Sequence, residues 1–159
     1  MQKLTKIAKS LTSFILATAF LIGNLSGIAA FAAENDLTPS SIQIIATSTE
    51  SDEPRKFDGY WSGSDFYLAA EDYSKITRYS YEEGSSAVRF KLGMKDILIQ
   101  KGSGTMQILA LRYQGKISRI VSMNGQTYLP MSELLPWLNV TVEQDDETAA
   151  LRITSDSNS

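Results

Sequence analysis

The reading of the fold turns on Thr127-Tyr-Leu-Pro-Met-Ser-Glu-Leu-Leu-Pro-Trp-Leu-Asn-Val-Thr-Val-Glu143. This stretch aligns without gaps to Phe66-Tyr-Leu-Ala-Ala-Glu-Asp-Tyr-Ser-Lys-Ile-Thr-Arg-Tyr-Ser-Tyr-Glu82, at an offset of 61 residues. Tyr67 then meets Tyr128, Leu68 meets Leu129, Tyr79 meets Val140, Tyr81 meets Val142 and Glu82 meets Glu143. After a two-residue shift, Ala87-Val-Arg-Phe90 meets Ala150-Leu-Arg-Ile153. A repeat is sought before local structure is assigned, because it constrains every later step. In each copy an extended piece leads into one or two helical turns (residues 70–76 and 132–138), then a strand, an acidic turn and a second strand. The paired strands alternate apolar and polar residues at period two, as a half-buried hairpin requires.

Between the copies, residues 96–100, 106–112 and 117–123 read as short strands punctuated by Gly102-Ser-Gly104, Gln114-Gly115 and Asn124-Gly125. Asn-Gly is a strong hairpin signal because both residues tolerate positive φ. Upstream, Ser41-Ile-Gln-Ile-Ile-Ala-Thr-Ser-Thr49 alternates and is β-branched, so it reads as a first strand. Residues 50–56 are charged, contain Pro54 and read as a linker. The expected fold is therefore α+β: a small strand-dominated domain of two similar helix-plus-β-hairpin units joined by short antiparallel strands. It should span residues 57–154, after an N-terminal strand and polar linker (33–56) and before a fraying tail (155–159).

The first 32 residues carry an address. Lys3, Lys6 and Lys9 precede an apolar run from Leu11 to about Ala33, with no acidic residue before Glu34. The run ends in the small-x-small site Ala30-Phe31-Ala32, which suits a signal peptidase cutting after Ala32. The competing reading is an uncleaved anchor, since the run approaches the roughly 20 residues that span a bilayer. Gly23, Asn24, Ser26 and Gly27 weaken it as a span. Removal of residues 1–32 leaves 12 basic against 18 acidic side chains and changes the net charge from −3 to −6. An acidic secreted chain argues against nucleic acid and against anionic lipid, since neither would meet a basic stripe. The expected membrane contact is only through the signal segment before cleavage. The expected location is extracellular, with the cell wall as a nearby partner.

Composition excludes more chemistry than it suggests. The chain has 159 residues and neither cysteine nor histidine. There is no disulfide framework, thiolate nucleophile or cysteine metal cluster, and no imidazole base or ordinary zinc, copper or haem ligation. Such a chain fits export from bacteria whose extracellular proteins avoid disulfides.

The second copy resembles a known family. Met123-Asn-Gly-Gln-Thr-Tyr-Leu-Pro-Met-Ser-Glu-Leu-Leu135, then Val140-Thr-Val-Glu143 and Thr148-Ala-Ala-Leu-Arg-Ile153, is similar to the copper amine oxidase N-terminal-like domain, or stalk domain. Asn124, Gly125, Thr127, Tyr128 and Pro130 stand on that family's pattern, where they are structural. Gln126 replaces its arginine, and Leu138-Asn139 replaces leucine-glycine, a mild change because Asn accepts the left-handed conformation after a helix. Pro136 should shorten or kink the helix. The first copy lacks the proline and the glycine. The resemblance implies a non-catalytic module on a secreted protein of a Gram-positive bacterium. It implies no copper: amine oxidation needs three histidines, and the chain has none.

The remaining candidates are carboxylates, aromatics and one serine. Paired carboxylates can hydrolyse glycosides without histidine. Glu82, Glu83, Asp145, Asp146 and Glu147 fall in expected hairpin turns, where water keeps such groups ordinary. Asp145-Asp146-Glu147 lacks the glycine and ligand spacing of a calcium loop. Gly59-Tyr-Trp-Ser-Gly63 puts Tyr60 and Trp61 in an expected glycine-flanked loop, a candidate platform for sugar rings; the competing reading makes Trp61 core. Tyr67, Tyr79, Tyr81 and Trp137 read as packing residues. Ser103 lies between glycines, but no base is evident for it. The expectation is a secreted module without catalytic residues, metal or cofactor. It would bind or space at the bacterial cell envelope, on a cell-wall glycan or another secreted protein. The alternatives are a carboxylate-dependent glycan hydrolase and a secreted inhibitor or regulator.

Overall fold

A computed structural model describes residues 36–47 and 52–156. The expected signal segment lies outside them, as do residues 157–159 of the expected tail. Among the described residues there are twelve strands in two sheets, two short α-helices and two 3₁₀ turns. β1 (Thr38–Ala46), β2 (Arg55–Ser62) and β3 (Asp65–Ala69) run into α1 (Ala70–Ile76). β4 (Ser80–Glu83), β5 (Ala87–Leu92), β6 (Lys95–Gln100), β7 (Thr105–Ile108) and β8 (Tyr113–Lys116) follow, with a 3₁₀ turn at Leu109–Leu111. β9 (Val121–Met123) and β10 (Gln126–Pro130) lead into α2 (Met131–Leu134), a 3₁₀ turn (Leu135–Trp137), β11 (Val140–Gln144) and β12 (Leu151–Ser155).

The expected α+β pair of similar helix-plus-hairpin units is not what forms. The protein is a mostly-β domain, and its two hairpins part company. β4–β5 opens a five-stranded antiparallel meander, β4-β5-β6-β7-β8. β11–β12 closes a seven-stranded sheet, β11-β12-β1-β2-β3-β10-β9. The stretches read as connectors are full sheet members. β1 lies inside the larger sheet, antiparallel to β2 and parallel to β12, so Ile42, Ile44 and Ala46 belong to the core. The stretch read as a linker gives up Arg55 and Lys56 to β2.

The helices stay short for identifiable reasons. In α1, the Thr77 hydroxyl and amide both donate to the Tyr73 carbonyl, at 2.7 and 3.0 Å, and close the last turn. After α2, Pro136 has no N–H for a further α-helical bond, and the chain tightens into the 3₁₀ turn. Asn139 then reverses direction at φ 50°. Asn124 and Gly125, at φ 51° and 75°, make the two-residue turn of the β9–β10 hairpin.

Alternation builds one core between the sheets. Phe57, Phe66, Leu68, Leu129 and Ile153 point inward from the larger sheet, and Val88, Phe90, Ile97, Ile99, Met106 and Ile108 from the smaller. α1, α2 and the end of the 3₁₀ turn that follows seal the space with Tyr73, Ile76, Leu134 and Leu138. Tyr79 joins this core, but its buried hydroxyl finds no hydrogen-bond partner among the described residues. Burial pushes its phenol up to about 12. Tyr79→Phe keeps the ring and removes the stranded hydroxyl, so it should raise stability by about 1 kcal/mol in urea unfolding at neutral pH. The neutral phenol is the native form. Its contribution is whole below the ordinary phenol value of about 10 and is lost as pH rises from there through the folded value. Wild-type protein should therefore lose stability above pH 10 more steeply than the variant. A variant less stable than wild type at pH 7 would overturn the assignment.

Candidate functional site

The outer face of the seven-stranded sheet carries a second, smaller apolar cluster. Because β2 alternates, Phe57, Gly59 and Trp61 face the core while Lys56, Asp58 and Tyr60 face outward. From β3 and β10, Tyr67, Ala69 and Tyr128 join Tyr60 on this side. Tyr60 meets Tyr128 edge to face, with ring centroids 5.0 Å apart and planes at 86°. The Tyr128 hydroxyl donates to Gln126 Oε1 at 2.8 Å, and burial pushes its phenol up.

Two shallow hollows of about 470 Å³ each flank Tyr128 and share Lys56, Asp58 and Tyr128, so they form one groove. One end reaches β1 at Pro39, Ser40 and Ser41; the other reaches α1 at Glu71, Asp72 and Lys75. Its charged lining balances: Arg55, Lys56 and Lys75 against Asp58, Glu71 and Asp72. Five of these six charges are also held by one another. Lys56 Nζ lies 3.7 Å from Asp58, and Lys75 Nζ lies 2.7 Å from Asp72 and 3.8 Å from Glu71. Its hydrogen bond to Asp72 keeps the Lys75 ammonium above its ordinary value. Arg55 donates to the Lys75 carbonyl at 2.7 Å, closing the C-terminal end of α1. The groove therefore presents an aromatic floor and many polar atoms, with no excess charge.

The residues singled out in the sequence separate here. Tyr60 and Trp61 lie on a strand rather than in a loop, and they face opposite ways. Trp61 packs on Phe66 at 5.0 Å on the core side, so the two cannot make one platform. Of the motif residues, Asn124 and Gly125 form the turn, Pro130 pairs with Tyr67 and precedes α2, and Tyr128 reaches the groove. Thr127 is 4% exposed and donates its hydroxyl to Glu83.

Glu83 is a brace between the sheets. It accepts hydrogen bonds from Thr127 and Tyr81, and Lys101 Nζ stands 2.5 Å away. Burial alone would raise its pKa, but the Lys101, Thr127 and Tyr81 bonds outweigh that and hold it below the usual carboxylate range. Glu82, Asp146 and Glu147 are exposed. Asp145 organises its turn, accepting from the Thr148 amide at 2.9 Å and from Arg152 at 3.2 Å; the Thr148 bonds lower its pKa most. Asp65 is raised by burial, yet its oxygens accept the Ser132 amide and hydroxyl at the start of α2. Ser103 bonds Thr105 at 2.8 Å on the surface. Among the described residues, no group of three or more Asp or Glu side chains is placed to hold a metal ion.

Sequence reading missed Arg55, Lys56, Asp58, Glu71, Asp72 and Lys75. The available signal was the alternation Lys56-Phe-Asp-Gly-Tyr-Trp61, which continues β2 through the supposed linker. No family model matches the chain, and neither a curated protein nor a solved structure matches it.

Proposed function

We propose that the chain is a secreted, non-catalytic binding module of the bacterial cell envelope, and that the outer-face groove takes a neutral glycan strand. The observation that carries this reading is the charge-balanced groove floored by Tyr60 and Tyr128. Sugar rings offer C–H faces to phenol rings, and their hydroxyls can exchange with the polar atoms of Lys56, Asp58 and Gln126. A strongly anionic ligand would find as many acids as cations in the lining, with Lys56 and Lys75 already held by Asp58, Asp72 and Glu71. Of the five candidate carboxylates, Glu83 braces the sheets, Asp145 holds its turn, and Glu82, Asp146 and Glu147 are exposed.

Co-sedimentation with purified cell-wall glycan tests the reading. Wild type should bind with little loss between low and high salt, because no net charge drives it. Tyr60→Ala should weaken binding about tenfold or more, within the ~1–3 kcal/mol of a stacking aromatic. Trp61→Phe, altered on the other face, should bind as wild type. Equal binding by Tyr60→Ala and wild type would remove the groove from consideration.

A further inference from the structure

Net charge conceals how the charges are distributed. Residues 84–132, which run from the β4–β5 turn through β10 to the start of α2, hold seven basic side chains and one acidic, Asp96. Asp96 is itself closed by Arg89, whose Nε lies 2.8 Å from Oδ1. Lys91 and Arg112 are exposed and lie in no salt bridge among the described residues, although Lys91 adds to the hold of Arg89 that keeps Asp96 below the usual carboxylate range. The register brings both to one end of the five-stranded sheet. Lys91 is opposite Asp96 beside the β5–β6 turn, and Arg112 ends the 3₁₀ turn that joins β7 to β8.

The same end gathers the large exposed hydrophobic residues found among the described residues: Met94 at 91%, Leu111 at 66%, Leu109 at 51% and Tyr113 at 40%. Met94 lies in the β5–β6 turn, and Leu109, Leu111 and Tyr113 lie in and after the β7–β8 turn. Trp137 stacks on Tyr113 with centroids 4.5 Å apart. Lys95 stands behind, donating to the Trp137 carbonyl and to Asn139 Oδ1, each at 2.6 Å. Asp156 also lies on this side, its amide donating to the Asn139 carbonyl at 2.9 Å.

We infer that this tip docks on an anionic phospholipid surface, with Leu109, Leu111 and Met94 entering the headgroup boundary and Lys91 and Arg112 meeting lipid phosphates. Exposed apolar side chains flanked by exposed cations are the two components that interfacial binding needs. A soluble polyanion would use the cations but leave the leucines and Met94 in water, so the combination selects lipid. Among the described residues no helix is long and apolar enough to cross a membrane, and the contact is superficial. This inference is independent of the glycan groove, which occupies the outer face of the other sheet.

The chain has no cysteine, so one introduced thiol is a unique label. The full chain carrying Leu111→Cys, tagged with a polarity-sensitive dye, is titrated with phosphatidylglycerol-containing vesicles and with pure phosphatidylcholine vesicles. Asp146→Cys, in the β11–β12 turn away from the tip, is the control. The control separates tip docking from binding through the apolar N-terminal stretch. A blue shift is expected at position 111 with the anionic vesicles and not at position 146. Adding Lys91→Gln and Arg112→Gln should raise the lipid needed for half-saturation about twentyfold or more, at the strength typical of juxtamembrane cations. The inference fails if position 111 stays silent or responds equally to neutral vesicles. It also fails if position 111 responds without lipid as protein concentration rises, which would make a second copy the occupant.

Discussion

Gly59→Ala is expected to cost roughly 3 kcal/mol or more of folding stability, as backbone-level overpacking does. A Cβ built on Gly59 would lie 2.3 Å from the Tyr67 carbonyl oxygen and 2.7 Å from the Phe66 ring. The carbonyl belongs to the neighbouring strand and cannot rotate aside without breaking the β2–β3 ladder, where Gly59 stands opposite Leu68. Phe66 cannot retreat either, because Trp61 packs on it. The groove should fail with the fold, since Tyr60 is the next residue and its outward aim depends on the same ladder. Gly63→Ala separates steric collision from backbone preference. Gly63 has φ 59° with nothing within 4 Å of its Cβ position, so its replacement should cost only about 1 kcal/mol. Denaturant unfolding of both variants tests the pair, and equal losses would show that the collision at Gly59 relaxes.

Tyr73 should show the second large effect. It is fully buried where α1 meets both sheets, its ring 5.9 Å from Phe90 in a T-shaped contact. Its hydroxyl donates to the Leu129 carbonyl at 2.7 Å, joining α1 to β10. Tyr73→Ala should therefore lose about 4 kcal/mol, the range for deleting a buried aromatic ring. Tyr73→Phe retains the packing but strips the Leu129 carbonyl of this donor, and should lose about 1 to 2 kcal/mol. The contrast with Tyr79→Phe is the sharper test. Both remove a buried phenol hydroxyl, but one is bonded and the other is not, so the two variants should move stability in opposite directions. Stability changes of the same sign would undermine the hydrogen-bond assignments on which both expectations rest.

Local features were readable wherever a residue's own conformational limits decided them. Asn124-Gly125 turns because both residues accept positive φ. Pro136 breaks the helix because it has no amide hydrogen. Asn139 reverses the chain where a glycine would otherwise serve. Tyr60 was singled out from the aromatic pair in which it sits, but in a loop and on a shared platform with Trp61, whereas it stands on β2 in the outer-face cluster. Period-two alternation places neighbours on opposite faces, which rules that platform out once β2 is known to be a strand.

The two copies misled at the level above. Their similarity in element order suggested two similar units, but a hairpin's sequence specifies which of its faces is apolar and not which strand lies beyond its edge. β5 finds β6, its neighbour in the chain, whereas β12 finds β1 from the far end of the chain, at Ile44–Leu151 and Ala46–Ile153. That single parallel pairing turns an apparent N-terminal extension into the interior of a sheet. The groove was hidden for the same reason, since its lining comes from β1, β2, α1 and β10.

By itself, the sequence determined the Asn124-Gly125 turn and the helix break at Pro136, because those depend on φ and on amide hydrogens within a few residues. It also excluded thiol and imidazole chemistry, because the residues are absent. Only the tertiary structure decided that the domain is two sheets, that the candidate groove is charge-balanced, and that the cations and exposed hydrophobics share one end. The larger sheet and its groove arise from pairings between distant strands, and the shared end from the packing of successive turns in the meander, whose free energy depends on partners that no local stretch can specify.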